Sequence, residues 1–141
     1  MIEAPDGSMA SFDAERTSAA YSRIDAVADC SCPGCRNYRA AWNRKYFEPG
    51  LLAACAEIGI DPAKGLEMST LGFAVGLVSY TGQFPFFGDV TGDQNFKDRF
   101  YPWFFSRGTH GSARFAEGLV SIGFFVEVPW VLSEANPYTA V

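Results

Sequence analysis

A chain of 141 residues, 48% hydrophobic and 19% charged, has the length and composition of one globular domain and buries about two-thirds of its unfolded surface on folding. The formal net charge of −5, with the 11 Lys and Arg spread out apart from a short group at Arg36, Arg39, Arg44 and Lys45, argues against a nucleic-acid binder, which needs clustered cations against phosphate. The longest apolar runs, around Leu71–Val78 and Val120–Val128, are broken by Gly, Ser or Glu and fall short of the ~18 residues of a membrane span.

In chain order, residues 1–18 hold Pro5, Gly7 and scattered Ser with little periodicity, and are expected to form a flexible leader in which Phe12 can tuck against the core. Met1–Ala20 is acidic and Ser/Ala-rich and lacks the basic and apolar regions of a signal peptide, so a cytoplasmic location is expected. The single α+β domain is expected over 19–132. Ile24 and Val27 are spaced for a helix, yet Tyr21–Ala28 also fits an edge strand, and strand is the expectation. Asn37 then reads as the N-cap of a helix over 38–47, with Tyr38, Trp42 and Tyr46 on one face. Pro49 opens a second helix whose apolar stripe is Leu51, Leu52, Cys55 and Ile58, closed by Gly59. Asp61-Pro62 opens one short turn, to about Gly65.

The second half changes to strand period. Leu71 to Leu77 alternates large residues with Gly and Ala, and Thr81-Gly82 is expected to end that strand. Phe84-Pro85-Phe86-Phe87 reads as a short edge strand, because Pro cannot donate in a central ladder. Asp89–Asp98 reads as polar loop, Tyr101–Phe105 as a strand, and 106–112 as the loop carrying the one histidine, His110. Val120, Ile122, Phe124, Val126 and Val128 alternate with Ser121, Gly123, Phe125 and Glu127 in the clearest strand, which Pro129 ends; the tail 133–141 is expected to be loose. Helices followed by strands predict an α+β fold with an N-terminal strand and cysteine knuckle, two short helices and a mainly antiparallel sheet.

The chemistry concentrates in Cys30-Ser31-Cys32-Pro33-Gly34-Cys35. In extended chain Cys30 and Cys32 point the same way, and the Pro33-Gly34 reversal aims Cys35 at the same place. Three thiolates there suit tetrahedral zinc, with His110, Cys55 or an acid such as Asp29 as a fourth ligand; the metal set is Cys30, Cys32, Cys35 and His110. Cys32-x-x-Cys35 ahead of a helix also suits redox exchange, since a helix N-terminus favours a thiolate. The bland alternative is a group of small apolar side chains at a tight turn. Cys55, alone in Ala53-Ala54-Cys55-Ala56, reads as core.

Other patterns fail. Counted from Asp89, a calcium loop would need glycine where Gln94 stands and a carboxylate where Phe100 stands. Glu57 and Asp61 flank a helix end and read as solvation and capping. No phosphate loop or Gly-x-Ser-x-Gly nucleophile elbow is present.

Cys30-x-Cys32-x-x-Cys35-x-Asn37-Tyr38, followed by Gly59-Ile60-Asp61-Pro62-x-Lys64-x-x-Glu67, resembles a group of small bacterial proteins carrying the pattern CxCxxCxN with an aromatic, then GIDPxKxxE. The resemblance covers roughly residues 21–70. It implies a bacterial, cytosolic α+β domain and brings no activity with it. The expectation from residues and resemblance together is a non-enzymatic binding or interaction domain, its knuckle structural and zinc-stabilised, with a protein or peptide partner in the manner of antitoxin-like or immunity-like proteins. A thiol-dependent oxidoreductase using Cys32 and Cys35 is the alternative.

Overall fold

The computed structural model of the protein describes residues 1–23, 32–64, 67–72, 76–92, 101–107 and 119–137. It has the expected α+β architecture: three helices and an antiparallel sheet. The strands are β1 (Ile2–Glu3), β2 (Met9–Phe12), β3 (Glu67–Gly72), β4 (Leu77–Thr91), β5 (Trp103–Ser106) and β6 (Leu119–Pro129). The helices are α1 (Ala14–Ser22), α2 (Pro33–Ala41) and α3 (Pro49–Ile58), with single helical turns at Arg44–Tyr46 and Pro62–Lys64. The sheet runs β1-β2-β4-β6-β5, and β3 adds to β4. No helix among the described residues is long and apolar enough to cross a membrane.

The strand β6 forms as its period-two pattern predicts. Val120, Ile122, Phe124, Val126 and Val128 are all buried, and Phe124 stacks on Phe84 of β4 with ring centroids 4.2 Å apart. Of the strand expected over Leu71–Leu77, Leu77 is half-buried in β4, while 73–75 lie outside the described residues. Helix α3 likewise matches, with Leu51, Leu52, Cys55 and Ile58 buried. Gly59 caps it at φ 91°, and a Cβ there would stand 2.5 Å from the carbonyl oxygen of Ala14. Glycine is therefore needed both for the left-handed turn and for the approach of α1.

Several expectations are corrected. Residues 1–18 are not a flexible leader. They supply β1 and β2, and β2 pairs along β4 from Met9 opposite Thr91 to Phe12 opposite Gly88. Ser8 is fully buried and its hydroxyl accepts the N–H of Phe105, tying this segment to β5. Tyr21 and Ser22 are helical rather than strand, and 24–31 lie outside the described residues. Thr81-Gly82 does not end a strand, and Asp89–Thr91 is not loop. β4 runs unbroken for 15 residues, paired with β6 from Leu77 opposite Pro129 to Phe87 opposite Leu119.

Pro85 is consequently in a central strand, and the reason lies on the other side of β4. There β3 pairs with residues 79–83 and β2 with 88–91, leaving an interval at 84–87. A residue in an antiparallel strand points its N–H and C=O to one side. The C=O of Pro85 points into this interval, so its missing N–H breaks no ladder. Helix α1 fills the interval with its own groups. Tyr21 OH donates to Pro85 O at 2.8 Å, Thr17 Oγ1 accepts Phe87 N–H at 3.1 Å, and Asp13 N–H donates to Phe87 O at 2.8 Å. Thr17 and Tyr21 are four apart on one helical face, and both are buried.

Candidate functional site: the thiols at the start of α2

Asn37 is not the N-cap, and the first long helix does not run over 38–47. The cap is Cys32. Its backbone is extended, its Sγ accepts the N–H of Cys35 at 3.4 Å, and Pro33 takes the first helical position, where its missing N–H costs nothing. Sulfur does here what a serine oxygen does at other N-caps, and Pro-Gly starts a helix rather than reversing the chain. The helix stops at Ala41, and Trp42 leaves the helical backbone conformation. Tyr38, Trp42 and Tyr46 therefore do not share one helical face. Tyr38 is fully buried, edge-on to Tyr80 at 5.5 Å and to Phe47 at 6.3 Å, while Trp42 is half-buried against Phe47.

The two thiols differ sharply in environment. Cys32 is exposed, whereas Cys35, one turn into the helix, is 7% exposed. The N–H of Cys35 points at the Cys32 sulfur, which thereby sits at the positive end of the α2 dipole.

A buried polar network holds this helix start from beneath. Tyr80 OH, on the inward face of β4, donates to Gly34 O at 2.7 Å and accepts from Asn37 Nδ2 at 3.3 Å. Asn37 also donates to Pro129 O at 3.1 Å and accepts Val131 N–H at 2.8 Å. Its amide thus acts as one more peptide group beyond the end of β6. Asn37 is fully buried with both ends of its amide engaged. Arg36 pairs with Glu134 at the surface, so the first residues of the tail are held to α2 as well. The Arg36 guanidinium keeps the Glu134 carboxyl below its ordinary range.

Cys55 is not part of this chemistry. It is fully buried in α3, and burial, with the Asp61 carboxylate adding to it, pushes its thiol up to about 12. A metal ligand or nucleophile must be a thiolate, so this thiol is core, as its sequence context indicates. Of the expected metal set, Cys32 and Cys35 are brought to one helix start, while Cys30 and His110 lie outside the described residues. Among the described residues no group of three or more His, Cys, Asp or Glu is placed to hold a metal ion.

Sequence reasoning misassigned Asn37 as a helix cap and did not single out Tyr80. A buried asparagine followed by a tyrosine has no local signature, because its partners are 43 and 94 residues away. No protein-family model, curated protein or solved structure matches this chain.

Proposed function

We propose that the protein is a cytoplasmic thiol-exchange domain in which Cys32 attacks and Cys35 resolves. The observation that carries this reading is the contrast across one helical turn: an accessible sulfur at the N-cap and a sheltered one three residues on. The Cys32 thiolate would attack one sulfur of a partner disulfide. That S–S bond breaks, the other partner sulfur leaves as a thiolate, and a mixed disulfide remains. Cys35, having lost its proton to solvent, then attacks the Cys32 sulfur, forming the Cys32–Cys35 disulfide and releasing the second partner thiolate. Two electrons pass from the thiol pair to the partner, and the two protons lost by the pair balance those its thiolates take up. The antiparallel sheet is unlike the βαβ frame of thioredoxin-like enzymes, but the chemistry requires only a helix start and an accessible sulfur. Cys35→Ser tests it. Incubated with oxidised glutathione, this variant should accumulate a mixed disulfide at Cys32, whereas the wild type should resolve to an intramolecular disulfide. Equal, slow modification of both forms would refute the exchange.

A second reading is favoured by the network under the helix. Tyr80 and Asn37 build the knuckle into the sheet, as suits a structural element of a binding domain. In that reading Cys30, Cys32, Cys35 and His110 hold zinc, the soft thiolate donors matching that ion, and the acidic, aromatic-rich chain serves a protein or peptide partner. Its mark is one zinc per chain in elemental analysis and a melting temperature that falls on chelation.

A further inference from the structure

The segment Gly59-Ile60-Asp61-Pro62-Ala63-Lys64 takes no part in the thiol chemistry, yet it forms one wall of a cavity of about 450 Å³ between α1, α3 and the turn at Arg44–Tyr46. Pockets that take small organic ligands start at about 300 Å³. Leu52, Ala56, Ile60 and Pro62 are apolar residues of its lining. The small residues Ser18 and Ser22 of α1 also line it.

The charges around this lining are unequal. Arg44 and Lys64 contribute two cations against the single carboxylate of Asp61. Among the described residues neither cation forms an ion pair with Asp61. Asp61 instead accepts the N–H of Ala63 with its Oδ1. Lys64 is fixed in place by donating to Tyr21 O at 3.0 Å at the C-terminal end of α1, and its ammonium has two further donors. The guanidinium of Arg44 makes no side-chain hydrogen bond among the described residues.

We infer that this cavity is a binding site for a small carboxylate with an apolar body. The carboxylate pairs with Arg44, whose planar fork matches it in two parallel hydrogen bonds, and with the spare donors of Lys64. The body lies on Leu52, Ala56, Ile60 and Pro62. A neutral analogue of the same shape keeps the apolar contact and loses the charge pairing. A bulky residue in place of Ala56 removes the space itself.

The test uses the full chain, with phenylacetate as probe and phenylacetamide as its neutral counterpart, read by ligand-observed saturation-transfer NMR and by titration. Arg44 and Ala56 are both exposed, so Arg44→Gln and Ala56→Trp are compatible with the fold, which a melting curve verifies. Wild type should bind phenylacetate about tenfold more tightly than the amide. Arg44→Gln should erase that difference, and Ala56→Trp should abolish binding of both. Absence of phenylacetate binding, equal binding of acid and amide by the wild type, or an Arg44→Gln variant that keeps the preference would overturn the inference. Cys32 and Cys35 are untouched in every variant, so the outcome is independent of the thiol exchange.

Discussion

Asn37 shows how much a single buried side chain can carry in this chain. Its amide holds Pro129 O, Val131 N–H and Tyr80 OH at once, so truncation leaves several buried polar groups unmet. Asn37→Ala should cost about 3 kcal/mol in denaturant unfolding, well beyond the loss of one exposed hydrogen bond. Cys55 makes a second residue-level prediction. Its folded thiol keeps its proton up to about 12, while an unfolded thiol loses it near 9.0. The unfolded state then binds fewer protons than the native one, so stability should fall as pH rises above about 9, by up to ~1.4 kcal/mol per pH unit from this group. Buried Tyr21 and Tyr38, both raised by burial, add to the loss at higher pH. Comparing urea midpoints at neutral and alkaline pH for wild type and Cys55→Ala checks this: the variant should lose less. Cys55 was legible as core because a lone cysteine among alanines has no chemical company. Asn37 was misread because its short-range signal, a polar residue before an aromatic helix face, matches a cap, and its real partners are set by the tertiary fold.

At the level of elements, the sequence is clear where one period dominates and misleading where a long-range partner overrides a local rule. Strand β6 keeps its alternation from Val120 to Val128, and helix α3 has both Pro49 and Gly59 as punctuation. In contrast, Pro85 and Gly82 look like strand breakers, yet β4 passes through both, because α1 completes the hydrogen bonding along the interval between β3 and β2. Nothing near Pro85 announces that Thr17 and Tyr21 supply those partners. Thr17→Val should remove the acceptor for Phe87 N–H with little change of shape and cost about 1–3 kcal/mol. Native-state hydrogen exchange should report the loss locally, with faster exchange at Phe87. Phe124→Ala should cost more, about 3–5 kcal/mol, since it empties the stacked position against Phe84 at the centre of the sheet.

Across the whole molecule, the long antiparallel pair β4–β6 is the base on which α2 is mounted, and Tyr80 with Asn37 are the joints. The fold thereby holds the first turn of α2 still while Cys32 remains at the surface. The central claim is that this arrangement serves an exchanging thiol pair, and the most direct measurement is a redox titration in glutathione buffers. Each point is quenched with iodoacetamide, and Cys32 and Cys35 are quantified by mass spectrometry. The account predicts that Cys32 is alkylated first in the reduced protein, and that one reversible two-electron transition converts both thiols to a Cys32–Cys35 disulfide. A contradictory result would be two thiols that stay reduced across the titration, or that become reactive only after a chelator is added.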